Sequence, residues 1–160
     1  MKSKSEEPKD RQSIATHKEA MRDYFVLEAV EAGIVLGGCE VKSLREAKSN
    51  LAGSFARLEK GEVFLHNLYI APYEMGNREN LDPLRPRKLL LHRSQIRKLE
   101  AKTAEKGLAL IPLKLYFSHG IAKVELAVAR GKNHYDKRSD IKKKTSLREI
   151  DRAIKNRNRK

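Results

Sequence analysis

The sequence predicts a mainly β protein, folded as a small closed or partly open β-barrel with about three short helices and a basic C-terminal tail. Two observations carry this prediction. Apolar and polar residues alternate through several short runs rich in β-forming side chains, and turn-forming residues separate these runs. The 160 residues also match the size of one domain with tails.

The strands are predicted from period-two patterns. The first contains DYFVLEAV, with Phe25, Leu27 and Ala29 on one face and a bend at Gly33. A hairpin is predicted for FARLEKGEVFLHNLYI, and the clearest one pairs IPLKLYF with AKVELAV. We expect Pro112 at an edge or a bulge, because proline cannot donate a ladder hydrogen bond.

Two helices are predicted between these strands. One covers CEVKSLREAKSNL, and the other covers SQIRKLEAKTAEKG, where Ser94 can cap the start and Gly107 can end the helix. A helix before the last strand pair suits a partly open barrel of the oligonucleotide-binding type. The long polar loop APYEMGNRENLDPLRPRK is expected to be functional or mobile.

The positive charge is concentrated at the C-terminal end. The net charge is +14, of which residues 1–22 contribute +2, residues 23–129 contribute +3 and residues 130–160 contribute +9. Such a block indicates a polyanionic partner, most simply nucleic acid, with an anionic membrane as the other candidate. We expect a disordered segment over 1–13, an RNA-binding barrel over 14–131 and a basic tail over 132–160.

Patterns of catalytic or metal-binding residues do not occur in the sequence. The five histidines and Cys39 show no zinc-ligand spacing, and there is no glycine-rich phosphate loop or nucleophile elbow. We therefore expect no enzyme activity, no metal and no cofactor.

One cysteine cannot form an internal disulfide, and no apolar run approaches the ~18 residues that a membrane-spanning helix needs. A cytoplasmic location is the expectation.

Two residues have both a structural and a binding interpretation. Glu31 ends an apolar strand, where it could accept backbone hydrogen bonds or could instead bond a nucleobase edge or a nearby lysine. In RPRKLLLH, Leu89 and Leu91 fit the core, whereas Leu90 must point to the opposite face of a strand. An exposed Leu90 beside basic residues could stack on an unpaired base.

Six segments follow one another in an order typical of one family: AGIVLGGCEVKSLREAKSNL, GEVFLHNLYIAPYEMGN, DPLRPRKLLLH, GLALIPLKLYF, AKVELAVARGK and YDKR. From about Ile14 to Ile154 the chain resembles the small protein B (SmpB) family, the bacterial partner of transfer-messenger RNA. The combination of EVKSLR, RPRKLLLH and GK-x-x-YDKR is the specific part of this resemblance.

The resemblance implies an RNA-binding barrel that grips the tRNA-like domain of transfer-messenger RNA (SsrA) and delivers it to stalled ribosomes in trans-translation. The positions that match the family for RNA binding are Glu31, Leu90 and Lys123, with Gly131 and Lys132 at the junction to the tail; the basic residues Lys42, Arg45 and Lys88 are further RNA-binding candidates. The matching ribosome-binding positions of the tail are Asp136, Lys137, Arg138 and Ile154, and the further candidates there are Tyr135, Lys142, Lys143, Lys144, Leu147 and Ile150. Elongation factor Tu and alanyl-tRNA synthetase are implied only indirectly, through the RNA, and a monomer is expected.

The tail is predicted to be disordered in isolation, because its few apolar residues cannot offset the cost of ordering. On the ribosome it is expected to become helical in the decoding site and the empty mRNA channel, against 16S rRNA. Without the resemblance, the residues are also compatible with a generic single-stranded RNA-binding or ribosome-associated barrel. A basic membrane-surface helix and a nuclease fit less well, since the apolar stripe is thin and an acidic metal cluster is missing.

Overall fold

Most strands of the computed structural model belong to one antiparallel sheet that closes on itself. The structure describes residues 11–157, with residue 77 described for its backbone only. The strands are β1 (Arg11–Thr16), β2 (Tyr24–Ile34), β3 (Ser49–Asn50), β4 (Phe55–Glu59), β5 (Glu62–His66), β6 (Tyr69–Ile70), β7 (Arg87–Leu90), β8 (Leu108–Ser118) and β9 (Ile121–Gly131). The helices are α1 (Lys18–Asp23), α2 (Gly38–Arg45), α3 (Arg93–Thr103) and α4 (His134–Arg157), with a 3-10 turn at Asn77–Glu79.

The sheet order is β1-β8-β4-β5-β7-β2-β9, and β8 also pairs with β9, so that six strands form a ring and β1 lies outside it on β8. The strand pairing in the ring is shortest at two places. β4 and β8 share one residue pair, and β2 and β7 share two. β3 and β6 form a separate two-stranded sheet. The predicted fold class, mainly β with a small and partly open ring of strands, is confirmed.

The interior of the ring is filled by the inward-facing side chains of its strands. Leu89, Leu115 and Val124 are fully buried there, and α2 adds Leu44. Alternation of buried and exposed positions along β5 and β9 places every second residue in this core. The other face of β5 is therefore left for solvent or a partner. On β8 and β9, a second buried cluster of Ala20, Ile111, Leu113, Ala127 and Ala129 covers part of that face.

Both predicted hairpins are present, and each closes through a two-residue turn. Lys60–Gly61 joins β4 to β5, and His119–Gly120 joins β8 to β9. Both residues of each turn have positive φ, which matches the right-handed twist of the flanking strands. Pro112 lies beside a register shift between β8 and β9, as predicted for a residue that cannot donate to the ladder.

The N-terminal prediction is wrong for residues 11–13. These residues start β1, which pairs with the edge of β8, whereas residues 1–10 of the predicted disordered segment lie outside the described part. Neither β1 nor α1 was predicted, because both are short and largely polar, and β1 is specified by its pairing with a distant strand.

The orientation of β2 differs from the face suggested by Phe25 and Leu27. Both side chains are exposed, and a bulge after Val26 shifts the register so that Ala32 and Ile34 enter the core instead. The strand also runs through the glycine at which a bend was predicted. The predicted ends of α3 are wrong. The helix starts at Arg93 with His92 at the cap instead of Ser94, and the Gln95 side chain accepts the His92 backbone N–H; it ends at Thr103, before Gly107.

The C-terminal segment differs from the predicted disorder, because residues 134–157 form the single helix α4. None of its residues is buried, so packing against a core does not explain the helix. Its composition does, since lysine, arginine, leucine, alanine and glutamate are good helix formers and neither glycine nor proline interrupts them. At 24 residues the helix is also long enough to outgrow the cost of nucleation.

A buried ionic network fixes the long loop between β6 and β7. The Glu40 carboxylate lies 2.8 Å from Nε of the fully buried Arg87 and 3.0 Å from Nε of Arg85, and it also accepts the backbone N–H of Gly37 at 2.9 Å. Arg87 in turn donates to the carbonyl oxygens of Leu68, Arg85 and Pro83. One guanidinium thus connects both ends of the loop to α2.

The same contacts control the protonation of Glu40. Burial opposes the ionised form, but hydrogen bonds from Arg85, the Gly37 N–H and Arg87 outweigh it and hold the pKa of Glu40 below its ordinary value of 4.5. A carboxyl group with a lowered folded pKa stabilises the protein above its unfolded pKa. That stabilisation is lost as the pH falls through the folded value.

Glu40→Gln should lower the free energy of unfolding by about 3–5 kcal/mol at pH 7, because it leaves Arg87 buried without a counter-charge. It should also remove part of the decline in stability that the parent protein shows below pH 4.5. Urea unfolding at neutral and acidic pH measures both effects. Glu46→Gln, which breaks an exposed pair with Lys48, is the control and should change the midpoint little. Equal effects of the two substitutions would contradict a special role for Glu40.

Candidate nucleic-acid interface

Three predicted RNA-binding residues converge on the outer face of the ring. Gly33 in β2 pairs with Leu90 of β7 on one side and with Lys123 of β9 on the other. Glu31 lies two residues before Gly33 and therefore projects from the same face of β2. Together they line an open concavity of about 490 Å³, which is completed by Leu91, His92 and Gln95. The sequence pattern had not shown that these strands are neighbours.

Gly33 allows the close approach that shapes this concavity. A Cβ atom at Gly33 would lie 3.1 Å from Cβ of Leu90, which is tighter than normal packing. The glycine thus lets the leucine lie flat across β2 and form the floor of the concavity. The predicted orientation of Leu90, opposite to the core, is confirmed, since Leu90 is 53% exposed whereas Leu89 is buried.

Glu31 is held in place by three side chains from three strands. Its carboxylate accepts hydrogen bonds from Lys123 Nζ at 2.7 Å, from Arg11 at 3.1 Å and from the Tyr116 hydroxyl. The Arg11 guanidinium also stacks 4.7 Å above the centre of the Tyr116 ring. Glu31 is therefore a carboxylate held by side chains, and within residues 11–157 its described hydrogen bonds come from side chains and not from backbone N–H groups.

The hydrogen bonds to Glu31 favour its charged form. Lys123 and then Tyr116 hold the pKa of the Glu31 carboxyl below its ordinary value against a smaller opposing effect of burial. Burial and the hydrogen bond to Glu31 raise the pKa of Tyr116 above its ordinary value. At neutral pH the site presents an ionised carboxylate beside a lysine and an exposed leucine, which suits hydrogen bonding to a base edge and stacking on its face.

The other predicted barrel residues do not line this concavity. Lys42 and Arg45 are exposed on α2, with Lys42 Nζ 5.3 Å from the centre of the Tyr73 ring. Lys88 lies on the same face of β7 as Leu90 but forms an ion pair of 2.6 Å with Glu62. Lys42 and Arg45 thus lie on a different element from the Glu31 site, whereas Lys88 lies next to that site with its charge paired.

The two predicted junction residues have different surroundings. Gly131 is exposed at the end of β9, where it pairs with Tyr24. The Lys132 side chain is only 9% exposed, and its ammonium group lies 2.6 Å from Asp140 and 4.8 Å from the centre of the Phe25 ring. Its charge is therefore engaged within the protein.

The predicted tail residues all lie on α4. Leu147, Ile150 and Ile154 are exposed and share one side of the helix, as their spacing predicts. Residues 134–157 carry nine lysines and arginines against four acidic residues. Of the predicted basic residues, Lys137 approaches the ring and lies 3.4 Å from Asp23.

Two contributors to the site were missed in the sequence. Tyr116 falls between Leu115 and Phe117, so the alternation that placed its neighbours in the core could have placed Tyr116 on the outer face. Arg11 gave no local signal, because only the pairing of β1 with β8 brings it to Tyr116. Over residues 11–157, no cluster of three metal-ligating side chains occurs, and no described helix is long and apolar enough to cross a membrane.

Tyr116→Phe should raise the pKa of Glu31 towards its ordinary value, because it removes one of the hydrogen bonds that favour the carboxylate. The value should stay somewhat low, since Lys123 remains in place. Carbon-detected NMR titration of the glutamate side chains measures the shift. Tyr69→Phe, which alters an exposed tyrosine, is the matched control. An unchanged Glu31 pKa in Tyr116→Phe would contradict the described network.

Comparison with known proteins agrees with this geometry. A family model described as SmpB protein matches residues 14–156. The chain is 60% identical over 144 residues to the SsrA-binding protein of Geobacillus thermodenitrificans, covering 90% of this chain and 93% of the relative. It is 56% identical over 144 residues to that of Bacillus pumilus, covering 90% and 92%, and 55% identical over 148 residues to that of Listeria welshimeri, covering 92% and 96%.

A solved structure is also similar to this chain. It is described as "tmRNA-SmpB: a journey to the center of the bacterial ribosome", and it matches with a TM-score of 0.60 and 54% identity, covering 78% of this chain and 84% of that chain. The match of the family model extends over the ring, the candidate site and nearly all of α4. The chain therefore belongs to the SmpB family.

Proposed function

We propose that the protein binds transfer-messenger RNA through the concavity on its ring and brings it to stalled ribosomes in trans-translation. The observation that carries this proposal is the convergence of Glu31, Leu90 and Lys123 in one open site, in a chain whose relatives are SsrA-binding proteins. The work is done by binding, without catalysis, as a monomer in the cytoplasm.

Each of the three side chains can recognise a different part of an RNA loop. The exposed Leu90 offers an apolar surface on which an unstacked base can rest. Glu31 can accept a hydrogen bond from a base N–H group, and its three partners keep it oriented before the RNA arrives. Lys123 can turn from Glu31 towards a phosphate. Such a site selects a folded RNA with a splayed base over an unstructured strand.

The basic residues outside the concavity can supply affinity without reading sequence. Lys42 and Arg45 project into solvent from α2, and Lys88 lies beside Leu90 on β7. Contacts between such side chains and phosphates release counterions and make binding dependent on salt. We assign them to the RNA backbone, and we assign Gly131 to the exposed connection between the ring and the tail.

We further propose that α4 occupies the decoding site and the mRNA channel when no message fills them. The helix is ~36 Å long at 1.5 Å per residue, and its excess of cations suits a channel walled by RNA phosphates. Tyr135, Asp136, Lys137 and Arg138 would meet the decoding site. The mRNA channel would contact the predicted tail residues that lie farther along α4. These are Lys142, Lys143, Lys144, Leu147, Ile150 and Ile154. An intact message would exclude the helix by steric overlap.

Leu90→Asp should weaken binding to the tRNA-like domain by about tenfold or more, the effect expected for a lost base-stacking contact together with a new negative charge. Leu84→Asp is a matched control, because Leu84 is 52% exposed but lies in the loop away from the concavity. A chain ending at Gly131 should still prefer the tRNA-like domain to an unstructured RNA of equal length. Binding assays at constant salt and melting temperatures of all variants measure these effects.

The outcomes separate the proposed function from a generic RNA-binding protein. Equal losses of affinity in Leu90→Asp and Leu84→Asp would mean that the added negative charge, and not the loss of a contact in the concavity, weakens RNA binding. Weak binding to both RNAs that disappears with the tail would indicate a basic arm without a selective site, and would contradict the proposal.

Ile154→Asp should reduce peptide tagging on ribosomes stalled without a stop codon, while binding to the tRNA-like domain stays unchanged. Ile141→Asp is the control: the two isoleucines are each 53% exposed on α4 but lie about 140° apart around the helix axis at 100° per residue. Tagging in a reconstituted translation system measures the difference. The same loss in both variants would contradict a specific contact of the stripe formed by Leu147, Ile150 and Ile154.

A further inference from the structure

A second open concavity lies beside the Glu31 site, between β1 and the outer face of β8. It has a volume of about 260 Å³ and is lined by Arg11, Ser13, Thr16, Lys114 and Tyr116. This β1 concavity shares no lining residue with the concavity at Leu90, but Arg11 and the Tyr116 hydroxyl both donate to Glu31. Arg11 and Tyr116 therefore form the wall between two neighbouring sites.

The strand register places both concavities on one continuous surface. Direct cross-strand partners on β7, β2, β9, β8 and β1 form a single row, which consists of Leu90, Gly33, Lys123, Tyr116 and Ser13. Because neighbouring strands lie about 4.8 Å apart, this row is roughly 19 Å long. An RNA chain that places a base on Leu90 can therefore continue along the row as far as β1.

A bulge in β1 turns two hydroxyl groups towards the β1 concavity. Ser13 pairs with Tyr116 and Thr16 pairs with Lys114, and the register shifts between Ser13 and Ala15. Residues three positions apart would lie on opposite faces of a regular strand, but the extra residue brings both to the outer face. Ser13 and Thr16 are exposed there, so their hydroxyl groups can donate hydrogen bonds to a ligand.

Two cations complete the lining of the β1 concavity. The Arg11 guanidinium lies 4.7 Å above the centre of the Tyr116 ring and donates to Glu31 at 3.1 Å. A guanidinium has five N–H donors, and among the hydrogen bonds described for residues 11–157 Arg11 uses one of them. Lys114 contributes the second cation from β8. The described lining thus carries two cations and no carboxylate, whereas the concavity at Leu90 contains Glu31.

We propose that the β1 concavity is a second RNA subsite, which binds a backbone phosphate through Arg11 and Lys114 with Ser13 and Thr16 as hydroxyl donors. This inference rests on the proposed function and adds to it the part of the RNA that this surface holds. A phosphate suits the site better than a base, because Arg11 covers the Tyr116 ring, which is 3% exposed and cannot be stacked upon. A base on Leu90 and a phosphate beyond Glu31 together fix the direction of the RNA chain across the sheet.

Thr16→Glu tests the subsite in the full-length protein. It should weaken binding to the tRNA-like domain about tenfold, because a carboxylate in the β1 concavity repels the phosphate. Gln12→Glu is the matched control: it adds the same charge to the same strand, but Gln12 is the partner of the core residue Phe117 and faces away from the concavity. The control should bind within about twofold of the parent protein, and both variants should melt at the parent temperature.

The salt dependence of binding separates a phosphate contact from a structural effect. Arg11→Gln and Lys114→Gln should each lower the slope of log affinity against log salt by about 1, because each removes one phosphate contact. Tyr116→Phe loosens Glu31 without removing a cation, and it should leave the slope unchanged. Lys106→Gln, which removes an exposed cation after α3, should also leave the slope unchanged.

Each result has a definite meaning for the subsite. Equal losses of affinity in Thr16→Glu and Gln12→Glu, or parent slopes in both Arg11→Gln and Lys114→Gln, would overturn it. The lower slopes should also appear with an unstructured RNA of equal length, because a phosphate contact does not depend on RNA sequence. Failure of the parent protein to prefer the tRNA-like domain would count against the proposed function, whereas lower slopes with both RNAs would still support the phosphate subsite.

Discussion

The fold depends above all on the buried charge interaction between Glu40 and Arg87. Arg87 is fully buried at the first position of β7, where it binds α2 and both ends of the preceding loop. These contacts determine which residue of the chain enters the ring at that point. A shift of one residue would turn Leu89 outward and Leu90 inward. The exposed leucine of the candidate site is therefore a consequence of an ion pair that lies outside the site.

The two central carboxylates of the protein have different tasks, which follow from their surroundings. Glu40 is buried and saturated by two arginines and a backbone N–H, so it can only hold structure. Glu31 is partly exposed, and two of its partners, Lys123 and Arg11, are cations whose side chains are 31% and 35% exposed. Such partners can turn towards phosphates while Tyr116 keeps the carboxylate in place. The site is thus preorganised without being closed.

The sequence could predict the features that are decided locally. Alternation and two-residue turns identified both hairpins, and the same alternation placed Leu90 outside the core. It could not predict features that depend on distant pairing. β1 was missed for this reason, and the inward face of β2 was wrong because a bulge shifts its register. The neighbourhood of Glu31, Leu90 and Lys123 came from the resemblance, since three separate strands must meet to form it.

The tail shows why charge counting alone gives an incomplete account of a basic segment. Its excess charge and few apolar residues suggested a disordered arm, but residues that favour a helix, with acidic ones near its start, give it a helical structure. Asp136 and Asp140 lie in the first two turns, where negative charge also suits the helix dipole. Beyond them the helix presents cations and a narrow apolar stripe, and among the described ion pairs Lys142, Lys143 and Lys144 have no acidic partner on the ring. Asp136 and Asp140 thus support the start of the helix, and these lysines remain available to an RNA surface.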